Sequence, residues 1–439
     1  MISKKPIAAA LLALSGSCVS STLAAGEMED RIAALEAQLA ALKAEVADNK
    51  TSISSNAEDI EEARPMAKGT KFTYGGFVQM DANVTSYSEG KPGNAIIEDL
   101  LVASLIPTET TSGDSSRSYS STNVHAKSSR FFFKTATETD VGKISSHIEL
   151  DFILSGDDGD ERISNSWNSR LRHAYVKWDY SDKSSLLAGQ TWSTFFNVRS
   201  LPDLIDFVGP VGTIFDRQAM LRWTTGGLQL AIENPATRLN QSVEGGLVTN
   251  FDDFHEGIPD LVARYNGNTG DLNWSIAGIV RELSFDQGDG EDDSKLGYGL
   301  SLSGKWNLGQ DDLRFQLNYG DALGRYLGLN AFNDGYVDDD GEIQTFNQYG
   351  GFIAYRHFWS PKWRSTLSLS AIQADNPSAR EFAPTESLAK RYETLHANLN
   401  YLPTPKMAIG GEFIYGHKEL EDGRDGDLTR LQFAVKYAF

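Results

Sequence analysis

Arginine and lysine recur on one side of short alternating segments in this chain, a placement that suits handling of anions rather than making or breaking bonds. Arg314 sits between Leu313 and Phe315, Arg430 between Thr429 and Leu431, and Lys436 between Val435 and Tyr437. Arg130, Lys134, Arg222, Arg264, Arg281, Arg356 and Arg364 repeat the pattern, with Glu149, Asp151, Glu233 and Glu412 as an acidic minority. Arg170 and Arg172 join them, although the phase of 170–180 is ambiguous. Cationic groups in a confined, water-filled space lower the electrostatic barrier for an anion. Carboxylates facing them, such as Glu149 and Asp151, would set up a transverse field that orients dipolar solutes.

Other chemistry finds less support. His147, His173 and His396 fall in separate segments, and no G-x-S-x-G elbow supplies a nucleophile. No catalytic function is expected. The single cysteine, Cys18, lies in an N-terminal segment that reads as a signal, so the processed chain has no thiol. Asp157, Asp160, Asp338 and Asp340 belong to acidic loops without EF-hand spacing. A solvated acidic rim is expected there; the functional alternative is Ca²⁺ or Mg²⁺ bridging the loops to lipopolysaccharide. No other cofactor is expected. The net charge of −20 repels nucleic acid, and loss of Lys4 and Lys5 takes it to −22 (38 basic against 60 acidic residues).

The elements that carry the basic residues are strands. In the last eleven residues Thr429, Leu431, Phe433, Val435, Tyr437 and Phe439 alternate with Arg430, Gln432, Ala434, Lys436 and Ala438. The period of two recurs at 72–83, 128–138, 143–154, 170–180, 184–192, 216–225, 228–234 and 258–266. It continues at 271–282, 295–307, 312–320, 346–358, 363–374, 389–401 and 406–417. Sixteen strands result. Seven short turns and eight long segments alternate strictly between them, as an up-and-down membrane barrel requires and a sandwich does not. Mean hydropathy is −0.35, and no run of 18 apolar residues occurs beyond the N-terminus, which excludes helical spans.

Energetics fix the facing. A lipid-facing Arg or Lys near the midplane costs about 2–4 kcal/mol. Several would exceed the roughly 5–15 kcal/mol that stabilises a typical fold. The charged face must therefore line water. The expected fold is all-β: a 16-stranded antiparallel transmembrane barrel over 72–439 with a lumen biased to positive charge. Residues 193–215 are too apolar and too rich in Pro and Gly for a solvated loop. They are expected to fold inward as a constriction, with Arg199 opposite wall arginines, or to latch onto a neighbouring subunit.

Ahead of the barrel, Lys4, Lys5, the apolar 7–14 and the small residues near Ala24 read as a signal peptide over 1–25. Residues 26–63 carry a heptad seam (Met28, Ile32, Leu35, Leu39, Leu42, Val46, Asn49, Ile53, Asn56, Ile60), with Asn at two d positions. A trimeric coiled coil is expected, roughly 50 Å long, and 64–71 forms a linker.

The block Gly189-Gln190-Thr191-Trp192-Ser193-Thr194-Phe195, with Leu201-Pro202, Gly209-Pro210, Arg217-Gln218 and Glu233-Asn234-Pro235, resembles the DcaP-like family of trimeric outer-membrane porins. The coiled coil and terminal Phe439 agree. The resemblance implies a homotrimer in the bacterial outer membrane, in contact with its lipid and lipopolysaccharide. It also implies periplasmic coiled coils and passage of small anions such as dicarboxylates. Arg130, Arg172, Arg199, Arg222 and Arg264 carry over only as a general basic-wall pattern. Two alternatives stay open: a general or sugar-selective porin, and a barrel that only anchors a tether to the cell wall.

Overall fold

The computed structural model describes residues 69–110, 117–153, 159–160, 166–243, 246–252, 258–286 and 292–439. The expected signal segment, the coiled coil, most of the linker, Asp157 and the side chain of Asp160 lie outside the described residues.

Alternating β-branched and aromatic residues pair into one closed ring. β1 (Thr70–Tyr87) meets a second stave in two collinear pieces, β2 (Tyr119–His125 and Arg130–Thr139). Then follow β3 (Gly142–Asp151), β4 (Arg170–Asp179), β5 (Ser184–Trp192), β6 (Arg217–Thr225), β7 (Leu228–Glu233) and β8 (Asp260–Thr269). β9 (Leu272–Asp286), β10 (Asp292–Leu308), β11 (Asp311–Asp321) and β12 (Asn347–Ser360) continue the wall. β13 (Trp363–Ala374), β14 (Ala389–Thr404), β15 (Met407–Leu420) and β16 (Asp425–Ala438) complete it. Each stave is antiparallel to the next, and β16 returns to β1 with Lys436 opposite Gln79 and Phe433 opposite Ala82. The sixteen-strand expectation holds. Two expected long connections are short: β9 and β10 stay paired out to Asp286 opposite Asp292, and β15 with β16 to Glu419 opposite Asp425.

The wall has an apolar exterior. On β10, Leu296, Tyr298, Leu300 and Leu302 are exposed, and on β16 Leu431, Phe433, Val435 and Tyr437 are. Unbroken rows of exposed large apolar side chains cost too much in water and suit a hydrocarbon solvent. No helix among the described residues is long and apolar enough to cross a membrane; the crossing is made by strands.

The buried core lies inside the ring, where loops from the long-loop end fill it. Leu101 and Ile106, Phe195 and Phe196, Leu323, Tyr326 and Phe332, and Phe382 pack together there against Tyr392 and Ile414 of the wall. The segments 89–110 and 321–346 therefore fold inward, whereas outer loops were expected. Their apolar residues leave water by entering the lumen.

Candidate pore and its constriction

Residues 193–215 cross the interior and dock on inward wall positions. Asn197 Nδ2 donates to Ser303 Oγ of β10 (3.0 Å), the Gly212 amide to Ser370 Oγ of β13 (2.7 Å), and the Val211 amide to Thr394 Oγ1 of β14 (3.2 Å). Asn318 Nδ2 of β11 donates to the Gly212 carbonyl (2.8 Å). Gly212 is required at this approach, since a Cβ there would stand 2.3 Å from the Gly351 carbonyl oxygen. Farther along, Glu412 of β15 accepts the Ile205 amide (2.5 Å), and His396 Nδ1 lies 2.9 Å from the same carboxylate. The Asp206 carboxyl accepts the amides of Leu101, Val208 and Gly209 at 2.9–3.1 Å. Burial pushes its pKa up.

Three wall arginines hold this loop, two by its carbonyls and one by a hydroxyl at its start. Arg222 donates through Nη2 to the Trp192 carbonyl (2.5 Å) and through Nε to Thr194 Oγ1 (2.7 Å). Arg264 donates to the Phe196 carbonyl, and Arg314 to the Leu201 carbonyl and to Asp312 (2.7 Å). Arg356 (3.2 Å) and Arg364 (2.6 Å) converge on Asp203 at the loop's far turn. Arg222, Arg264, Arg314, Arg356 and Arg364 thus spend donors on the constriction itself. Arg199 is exposed on the loop and holds no ion pair among the described residues. Lys134 is exposed near the short-turn end, its ammonium 4.5 Å from the Phe132 ring centre.

Several residues expected to face water do not. Arg281 is fully buried beneath 321–346, pairing with Asp334 (2.6 Å) and Asp260 (3.8 Å). Arg430 is buried beneath a one-turn helix, α1 (Ile96–Asp99), and donates to Thr85 Oγ1 (2.9 Å) and the Ile97 carbonyl. Glu233 is buried as the acceptor of Ser193 Oγ (2.7 Å) and the Thr194 amide (2.6 Å). Inward-folding loops cover all three. Arg172 is buried as well, against Glu149 (2.8 Å) and Asp151 (2.7 Å), while Arg170 pairs with Asp151 at 2.9 Å. Glu149 and Asp151 are therefore neutralised by the adjacent stave and do not oppose the arginines across the lumen. The ambiguous phase of β4 has a cause: a bulge leaves Arg172 unpaired between Leu171 and His173, so Arg172 and His173 both turn inward.

Beneath the loop, a chamber of about 210 Å³ is lined by Arg130, Arg364, Lys436, Gln79, Ser128 and Asn400, and closed by Asp203–Phe207. Lys436 Nζ rests 3.7 Å over the Phe77 ring and has no ion pair among the described residues. Arg130 reaches Glu149 only at 3.4 Å, and its buried Nε has no hydrogen-bond partner. Such unsatisfied donors favour an anion that would complete them. Arg217 also leaves a buried Nη1 unpaired, packed 4.3 Å from the Trp192 ring. Sequence reasoning used Arg217 only as part of a motif, although the apolar Phe215 two residues earlier marked it as buried near the loop.

A closed antiparallel ring with an apolar belt, a charged interior and a loop folded across it defines a porin-type channel of the outer membrane. The chain belongs to the DcaP outer membrane protein family, whose model matches residues 36–439. The outer-membrane channel DcaP of Acinetobacter baumannii superposes with a TM-score of 0.67 at 22% identity, over 85% of this chain and 98% of that one. An anion-selective porin from Comamonas acidovorans gives 0.50 at 11% identity (84% and 100%). Salmonella typhi OmpF in complex with daunomycin gives 0.50 at 12% identity (85% and 99%). At these identities the solved structures show the fold. No curated protein matches the chain.

Proposed function

We propose that this protein is a homotrimeric, anion-preferring diffusion channel for small carboxylated solutes of dicarboxylate type. The observation that carries the reading is the chamber under the constriction loop. Arg130, Arg364 and Lys436 converge there on about 210 Å³, with Asp203 as the facing carboxylate. A solute with two carboxylates could engage Arg130 and Lys436 together, while Asn400 and Gln79 offer neutral hydrogen bonds. The coiled coil over 26–63 would stand in the periplasm and loosen the trimer if removed, without closing its pores.

Reversal potentials across a planar bilayer in a salt gradient test the proposal, using chloride, a dicarboxylate and phosphate in turn, with liposome swelling to read a neutral sugar. The wild type should favour anions, and replacing Arg130 and Lys436 together by Ala should move the potential toward zero. An unchanged potential in the double variant would overturn the assignment of these residues. A rim function for divalent cations gains little from Asp338, whose Oδ1 accepts the amides of Asp340 and Glu342 and whose Oδ2 accepts Gln344. Chelator should leave the thermal midpoint unmoved; a drop would restore the bridge to lipopolysaccharide.

A further inference from the structure

The two legs of the constriction loop, residues 193–195 and 213–215, meet at one residue of a different loop. Tyr326 lies in the segment between β11 and β12 and is fully buried. The main chain at and just after it takes one leg: the Phe215 amide donates to the Tyr326 carbonyl (3.0 Å), and the Gly328 amide donates to the Thr213 carbonyl (3.0 Å). Ile214 and Leu327 form an antiparallel bridge at the same place.

The side chain of Tyr326 takes the other leg. Its ring meets Phe195 edge-on at 5.7 Å. Its hydroxyl donates to Asp260 Oδ2 (2.5 Å) and accepts from Gln218 Nε2 (2.9 Å). The same amide nitrogen donates to Glu233 Oε2 (2.6 Å). Glu233 in turn accepts Ser193 Oγ and the Thr194 amide. Burial keeps the phenol protonated, with its pKa well above the ordinary value, so it serves as a donor throughout. Arg325 closes the set by donating to Gln218 Oε1, which leaves that amide one orientation.

We propose that Tyr326 is a positioning residue for the constriction, so that a loop from the long-loop end sets the width and steadiness of the narrow segment. The inference rests on the lumen being a conducting path. Neither leg is held by Tyr326 through bulk packing alone: one depends on main-chain bonds and the other on a chain of four side chains. Removing the hydroxyl should therefore free residues 193–195 while sparing 213–215. Removing the whole side chain also leaves a cavity beneath the segment whose main chain holds 213–215, so both legs should loosen.

The test compares wild type, Tyr326→Phe and Tyr326→Ala as trimers in detergent and in planar bilayers. Hydrogen exchange reads the anchoring directly. Peptides over 193–195 should exchange roughly tenfold faster in Tyr326→Phe, as expected for a lost buried hydrogen bond, with the β10–β16 strands unchanged. Peptides over 213–215 should join them in Tyr326→Ala. In bilayers both variants should show higher conductance and larger current fluctuations, and a reversal potential closer to zero. A disulfide across the bridge, I214C with L327C in the Tyr326→Ala background, should restore quiet currents on oxidation. Wild-type exchange at 193–195 in both variants would overturn the proposal. A wild type without conductance would instead remove the channel reading, and exchange would still judge the anchoring.

Discussion

Two groups of inward cations share one sequence signature and do different work. Arg264 and Arg314 end on carbonyls of the constriction loop, and Arg222 on the Trp192 carbonyl and the Thr194 hydroxyl at its start, so their charge is committed to holding the loop in place. Arg130 and Lys436 stand at equivalent inward positions on staves next to the seam, where the loop turns away and leaves the chamber. A guanidinium spent on a carbonyl holds main chain; one facing a chamber keeps donors for a solute, the role proposed for Arg130. Position relative to the loop, rather than residue type, separates the two.

Substitutions should pull this contrast apart, and the largest effect belongs to the holding side. Arg281→Ala removes the buried guanidinium between Asp334 and Asp260 beneath 321–346, which should cost about 3–5 kcal/mol of stability. Unfolding in denaturant would read this, and a loss below about 1 kcal/mol would mean that water reaches the pair. Arg264→Ala comes next. Losing a charged donor to Phe196 should cost about 1.5–3 kcal/mol and make the open channel noisier, with the reversal potential hardly moved. The Arg130 and Lys436 pair should show the reverse pattern: a clear shift of potential with stability changed by less than about 1 kcal/mol. If both pairs of measurements moved together, the division would collapse.

The smallest effect is a pH dependence at the loop's far turn. Burial raises the Asp206 pKa in the folded protein above its unfolded value. The folded state therefore binds the proton more tightly. This contribution is complete below the unfolded carboxyl pKa and fades as pH rises through the folded one. Thermal midpoints of wild type minus Asp206→Asn should thus grow as pH falls from neutral and level off in acid. A flat difference would show that the three amides donating to the carboxylate balance its burial.

Much of this architecture was legible beforehand, because alternation is a local property. Leu313, Phe315 and Leu317 against Arg314 and Gln316 define two faces whatever surrounds them, and a charge cannot face lipid. The inward fold of 193–215 was legible too, from Phe195, Phe196 and the Pro and Gly content. The parallel case of 321–346 carried a similar signal in Leu323, Tyr326, Leu327 and Phe332, but its acidic run Asp338–Asp340 reads as a solvated rim. The bulge at Arg172 left only an ambiguous phase, since one extra residue shifts the pattern without altering composition.

Chain chemistry alone determined the two faces of each strand and how many times the wall is crossed. Tertiary structure alone decided which inward cations meet water. Arg281, Arg430 and Glu233 obey the same two-residue rule as Arg130, yet segments distant in sequence fold over them. Facing is set by neighbours one or two residues away, whereas solvent access depends on contacts made across the whole ring.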